Sequence, residues 1–351
     1  MTKSKTYKTK GAAAIVTAAV LALIALFGMT ACSNAAQPDA GGNSAGTSTP
    51  KYTIHFSVRS GLGTLKAAVD GKEIHTGDSV EQGKSIVFTA EPDSGYEVGQ
   101  WTNGGTVIDE AGTDKTYTHP VTANAFLRVK FKVLPAPFVE GGASLILYPD
   151  MFDIRVAVTT ADNSPVTVEG CTETTLPSGT ETILHAKGIV VILKGKITKL
   201  NCGILDSYGH DPNVLTDLNV QGCTALQTLD CQFNRLTALN VQSLTSLQEL
   251  NCCANRLTAL NVQGLTALQG LVCHNNRLTA QAFTKIFDDL PQRADSDGAD
   301  CILYTEESGV TESNHTDFTA PPELANAFNN AKTVKKWKMH KLNGSGNLSE
   351  I

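Results

Sequence analysis

Between residues 52 and 59 the apolar Tyr52, Ile54, Phe56 and Val58 alternate with Thr53, His55, Ser57 and Arg59. A period of two puts one set on each face of an extended chain, so this stretch predicts a half-buried strand. Further strands are expected at 65–69, at 85–90, and through Leu127, Val129, Phe131 and Val133, with Asp70-Gly71 as a tight turn. Two more candidates lie at 154–158 and 189–193. Downstream the chain aligns on itself. LQTLDCQFNRLTALNVQSLTS from Leu226, LQELNCCANRLTALNVQGLTA from Leu247 and LQGLVCHNNRLTAQAFTKIFD from Leu268 repeat with a period of 21 residues. A degenerate earlier copy starts at Ile197 and carries eight extra residues around 205–213. Phe283, Ile286, Phe287 and Leu290 then fall at helical spacing ahead of Pro291, predicting a short helix over the end of the repeats.

Each copy has the form L-x-x-L-x-C-x-x-N, with a second apolar set, L-T-x-L-N-V, behind it. One such turn cannot bury its apolar side alone, so the copies must stack, with Leu229 and Cys231, Leu250 and Cys252, and Leu271 and Cys273 pointing inward. Asn234, Asn255 and Asn276 recur just past each strand, where an amide side chain can satisfy backbone groups of a neighbouring coil. Cys202, Cys231, Cys252 and Cys273 form a second column. Buried thiols packed as small hydrophobes explain it; disulfides or a metal are the alternatives, although four sulfurs in a line about 4.8 Å apart do not make a tetrahedron.

The repeat form resembles the leucine-rich-repeat consensus. Residues 51–133, above all VDGKEI, VEQGKSIVFTAEPDSGYEVGQWTNGG and FLRVKFK, resemble the divergent internalin-B-type repeat of bacterial surface proteins. That resemblance implies a β-grasp-like fold used as a stalk, a spacer or a partner contact. Within it Trp101 reads as a core residue, with ligand binding as the alternative. VEGCTETTLPSGTETILHAKGIVVILKGKITKLNC and the stretch ending at Trp337 and Met339 resemble the caps around 21-residue repeats in surface lipoproteins of oral spirochaetes and Bacteroidetes, which are described as adhesion or host-contact proteins. The expected fold is therefore mainly β: a β-grasp-like module followed by a short leucine-rich-repeat solenoid with N- and C-terminal caps.

The N-terminus changes the setting of this architecture. The first eleven residues carry four lysines and no acid, and an apolar run of about 16 residues follows from Ala12 to Phe27. As a helix the run reaches roughly 24 Å, short of a bilayer core of about 30 Å, which favours a cleaved signal over a permanent span. Gly28-Met29-Thr30-Ala31-Cys32 resembles a lipobox, which implies diacylglycerol on the Cys32 sulfur and cleavage before it; Met29 stands where leucine is commoner. The alternatives are a secretory signal with an incidental cysteine or an uncleaved anchor. Loss of residues 1–31, with their four lysines and no acid, takes the net charge from -6 to -10 and argues against nucleic-acid binding. The expected organisation is a signal peptide at 1–31, a flexible tether at 32–50, the module at 51–133, an N-terminal cap at 134–196, the repeats at 197–290 and a C-terminal cap at 291–351.

Between the inward positions, each strand presents residues to a concave face, in three columns. These are Lys199, Thr228, Glu249 and Gly270; Asn201, Asp230, Asn251 and Val272; and Gly203, Gln232, Cys253 and His274, with Phe233 at the edge. A face that varies on a fixed frame suits recognition, although solvated filler would look similar. Four strands give a patch of roughly 300 Å², against about 800 Å² per partner in a standard interface. Either Tyr208 and His210 in the insertion contribute, together with the caps, or many copies act together. Arg235, Arg256 and Arg277 form a further column, read as a solvated edge or as a strip for a sulfated glycan. Lys335-Lys336-Trp337-Lys338 reads as a capping strand, or alternatively as a membrane patch. No catalytic constellation, phosphate loop, metal site or cofactor motif stands out, and His274 beside Cys253 is the one pairing to name as a nucleophile or ligand. Three classes remain: a surface adhesin binding a host or neighbouring-cell protein, a periplasm-facing envelope scaffold, and a carbohydrate-binding module.

Overall fold

The computed structural model describes residues 48–149, 151–203, 215–306, 312–343 and 346–351. It is mainly β. Nine strands build the first part: β1 (Lys51–Ser60), β2 (Gly63–Val69), β3 (Lys72–Ile74), β4 (Asp78–Glu81), β5 (Ser85–Pro92), β6 (Tyr96–Asn103), β7 (Thr106–Val107), β8 (Thr116–Pro120) and β9 (Ala125–Val133). They pair as two sheets, β4-β1-β9-β6-β7 and β3-β2-β5-β8. The alternation read from 52–59 is the reason: Ile54 faces inward with Leu127 and Val129 of the parallel neighbour β9, while Phe88 of the second sheet meets Phe56 at 5.5 Å. Asp70 and Gly71 both take positive φ, as a two-residue hairpin between right-twisted strands requires. Trp101 is fully buried, and its indole N–H donates to the Asp114 carbonyl at 2.9 Å. Among the described residues no α-helix lies in this part, only a three-residue 3-10 turn at Asp109–Ala111.

β10 (Gly142–Leu147) is buried along its whole length because it separates two cores. Ala143, Leu145 and Leu147 belong to the downstream core, and Ile146 on the other face completes that of the first part, with Ile189 beside it. An apolar run without alternation, GASLIL, is what such a doubly covered strand requires. The junction is tied further by the Asp217 carboxylate, which accepts from Ala136 N–H at 2.8 Å, and by Asn219, which donates to the Ala136 carbonyl at 3.1 Å. Residues 49–351 accordingly form one compact unit.

β11 (Asp153–Thr160), β12 (Val166–Glu169), β13 (Thr175–Leu176), β14 (Glu181–His185), β15 (Val190–Lys194), β16 (Ile197–Asn201) and β17 (Leu215–Asn219) complete two further sheets. One runs β13-β12-β15-β10-β17. The other begins β14-β11-β16, where antiparallel β11 covers the open edge of the repeats.

The repeats supply β18 (Thr228–Asp230), β19 (Glu249–Asn251) and β20 (Gly270–Val272), each only three residues long. They pair in parallel and in register, Thr228 with Glu249 with Gly270, so one period of the sequence is one step across the sheet. A second column of parallel bridges joins Asn219, Asn240 and Asn261 behind them. After helix α1 (Ala280–Asp289), which buries Phe283, Ile286 and Phe287, the same sheet continues in parallel through β21 (Asp300–Glu306) and β22 (Lys338–Asn343), with α2 (Pro322–Thr333) between them. β23 (Leu348–Glu350) closes it antiparallel.

The asparagine column accounts for the corners. Asn255 accepts from Leu236 N–H at 2.9 Å and donates to the carbonyls of Cys231, Cys252 and Cys253 at 2.9, 3.2 and 3.2 Å. Asn234 and Asn276 do the same one coil away on either side, and Asn314 repeats the pattern for Leu278 N–H. The residue just before each of Asn234, Asn255 and Asn276 takes a left-handed conformation: Phe233, Ala254 and, as the least strained type, Asn275. Relief of that conformation predicts that Ala254→Gly stabilises the protein by about 0.5–1 kcal/mol in urea melts, even though glycine loosens the unfolded chain.

Cys202, Cys231, Cys252 and Cys273 are free and buried; Cys301, also free and buried, lies opposite Leu271 and so continues the leucine column instead. Burial among apolar neighbours pushes the thiols of Cys231, Cys252, Cys273 and Cys301 well above the ordinary range.

Candidate binding surface

In-register pairing fixes which side chains share the open face. Lys199, Thr228, Glu249, Gly270, Asp300 and Lys338 form one row across six parallel strands, and Asn201, Asp230, Asn251, Val272, Ile302 and His340 the next. β21 and β22 widen the face, but with three residues in register on each strand it spans roughly 300 Å². That is still below the about 800 Å² of a standard partner.

The expected residues divide into two groups. Thr228, Asp230, Gln232, Asn251 and Val272 are half-buried, Glu249 is exposed, and Phe233 projects with 37% of its surface open. Cys253 and His274 do not belong with them. Cys253 is buried and its thiol donates to Gln232 Oε1 at 3.6 Å; His274 lies under the C-terminal segment, with Nδ1 3.2 Å from Thr305 Oγ1. Strict alternation had carried both to the open face, but the strands stop at Asn251 and Val272 and the chain turns inward at the left-handed corner. Neither is a surface contact, and the Cys253–His274 pairing offers no exposed nucleophile. Tyr208, His210 and Cys32 lie outside the described residues.

Two face residues also shape the fold. Asp230 Oδ1 accepts from Gln232 N–H at 3.2 Å, and Asn251 accepts from Cys253 N–H at 3.3 Å, both closing the turn that ends their strand. The Glu249 carboxylate lies across Gly270, where a Cβ would meet its Oε2 at 1.8 Å, so a larger residue there would displace this side chain.

The carboxyl groups of the face, which also carries Lys199 and Lys338, are all shifted in one direction. Burial raises the carboxyl groups of Asp230, Glu249 and Asp300 above their ordinary range, and Asp300 raises Glu249 further. A folded carboxyl with a raised pKa holds its proton where the unfolded chain has released it. Stability is therefore lost as pH rises from about 4 through the raised values. An Asp230→Asn, Glu249→Gln, Asp300→Asn variant is expected to be more stable than wild type at pH 7, with the difference shrinking at pH 4. Urea melts at the two pH values check this.

Of the arginine column, Arg256 and Arg277 are exposed, and Arg235 stacks its guanidinium 4.4 Å from the Tyr148 ring. Lys338 pairs within the sheet and Lys335 donates to the α1 carbonyls of Phe287 and Asp288, while the Trp337 indole is buried and bonded to the Pro291 carbonyl. Among the described residues, no helix is long and apolar enough to cross a membrane.

The first part of the chain has a recognisable relative. Residues 63–134 match the family model of the divergent InlB B-repeat domain. The match takes in β2 to β9 and leaves out β1, although β1 sits between β4 and β9 in the sheet. A domain of this type suggests a surface or adhesion module. No curated protein and no solved structure matches the chain.

Proposed function

We infer that the chain is an exported, lipid-anchored and non-enzymatic adhesion protein. Its 21-residue repeats act as a leucine-rich-repeat solenoid that displays a recognition face for a protein on a host or neighbouring cell. The observation that carries this reading is the row structure of the open sheet face. Frame residues repeat from coil to coil, whereas Thr228, Glu249 and Asp300, and Asp230, Asn251 and Val272, differ at equivalent positions beside the exposed Phe233. Carboxylates held half-dehydrated without a full complement of cations gain most when a partner supplies lysine or arginine. The InlB-type module lends independent support to a surface role, and its core, which Ile146 of β10 completes, ties it to the compact unit that carries the recognition face.

Because the face is smaller than a standard interface, single-copy binding is weak and density on the envelope supplies avidity. Beads densely coated with the protein are expected to adhere to target cells, and an Asp230→Asn, Phe233→Ala, Glu249→Gln coat to lose most of that adhesion. Equal adhesion by both coats would overturn the assignment to this face. For anchoring, palmitate labelling of wild type and not of Cys32→Ala is expected, together with cleavage by protease added to intact cells. Labelling of both proteins, or resistance to shaving, would contradict it.

A further inference from the structure

The side of sheet β4-β1-β9-β6-β7 turned away from its core concentrates positive charge. Along β9, Leu127, Val129 and Phe131 are buried, and the alternate residues Arg128, Lys130 and Lys132 face outward. Alternate residues on a strand lie about 6.6 Å apart, inside the Debye length of about 10 Å at 0.1 M salt. Arg128 and Lys130 therefore act together, with Lys132 beyond them, and exposed Arg59 near the end of β1 adds a further cation. The carboxylates of this face are already engaged, Glu97 with Lys132 at 2.9 Å and Glu81 with Lys51 at 3.7 Å. Among the described residues, Arg59, Arg128 and Lys130 form no ion pair. The patch thus stands against the sign of a chain whose net charge is -6.

An aromatic group completes it. Phe126, 37% exposed, has the Arg128 guanidinium 4.2 Å from its ring centroid and His55 at 5.9 Å. The guanidinium holds the phenyl ring in place beside the line of charge. A ligand that presents apolar ring faces and anionic groups in alternation fits this layout. We propose that the outer face of this sheet binds an acidic polysaccharide, with sulfate or carboxylate groups on Arg59, Arg128 and Lys130 and a sugar ring against Phe126. A nucleic-acid duplex fits less well, because its charge density of about one phosphate per 1.7 Å meets the repulsion of a net-negative molecule. The site is separate from the repeat face and does not depend on its role.

The test uses the full chain in mild detergent, heparin as the probe, and a sulfonate cation-exchange resin as the charge-only control. Wild type is expected to elute from heparin at higher salt than from the sulfonate resin. Arg59→Gln, Arg128→Gln, Lys130→Gln is expected to lose heparin affinity by about tenfold or more. The equally charge-reduced Lys66→Gln, Lys72→Gln, Lys84→Gln should stay within about twofold of wild type. Phe126→Ala should lower elution from heparin and leave elution from the sulfonate resin unchanged. Circular dichroism melts confirm that each variant folds. Equal elution from the two resins, loss in the Lys66, Lys72, Lys84 variant, or loss caused instead by Arg235→Gln, Arg256→Gln, Arg277→Gln would overturn the proposal. So would phosphatidylglycerol vesicles that bind in an Arg128-dependent way when heparin does not.

Discussion

Asn255→Ala is expected to destabilise the protein by about 3 kcal/mol in urea denaturation, far beyond what one hydrogen bond contributes on average. The side chain serves four backbone groups at once. Alanine leaves Leu236 N–H, at a fully buried residue, without its acceptor and weakens three carbonyls that no water reaches. Asn255→Asp keeps the acceptor but turns the donor into a second anionic oxygen facing those carbonyls. It should be worse than alanine at pH 7 and recover partly at pH 4, as the carboxyl takes up a proton. Asn261→Ala is the control. Its recorded side-chain bond reaches only from its own turn, Gln263 N–H at 3.0 Å, so its cost should stay under about 1 kcal/mol.

Leu250→Ala should cost about 3 kcal/mol, because Leu250 is buried between Leu229 and Leu271 of the coils on either side and neither backbone can collapse into the space. At its neighbour Cys252 the order of substitutions matters more than their size. Cys252→Ala leaves a small void at about 1 kcal/mol, whereas Cys252→Ser, closer in volume, buries a hydroxyl in an apolar column and should cost about 2 kcal/mol. If serine proved milder than alanine, the thiol would not be acting as a packed hydrophobe. Native thiols in this column should react with maleimide only as fast as the protein unfolds, since burial suppresses their thiolates.

The repeating part of the chain was legible wherever spacing was regular. Leu229, Leu250 and Leu271, the cysteines two residues on, and the asparagines three further occupy the places their period implied. Asn314 escaped notice because it follows Asn276 by 38 residues rather than 21, with the helical segment breaking the spacing, and because Leu303 rather than a cysteine stands at the place equivalent to Cys273. The strand register and the bonds of Asn314 carry the asparagine column through that interruption. The face was harder to read. Its outer rows follow from alternation, but alternation fails past a three-residue strand, and so Cys253 and His274 were misplaced. The shared core at β10 was visible only as an apolar run, since nothing in GASLIL states that its two faces meet different partners. The charged side of β9 lay in the same alternation that revealed the strand, as Arg128, Lys130 and Lys132 between apolar residues.

All of this rests on one period of sequence making one step across the sheet. Cysteines placed at Thr228 and Glu249, which are partnered on the open face, test that step directly. Neighbouring Cα atoms about 4.8 Å apart lie within disulfide range. Mild oxidation should cross-link Thr228→Cys to Glu249→Cys rapidly, with peptide mapping showing that one bond and Thr228→Cys with Gly270→Cys, two strands apart, failing to form. Preferential cross-linking of the Thr228 and Gly270 pair, or of neither, would contradict the stack.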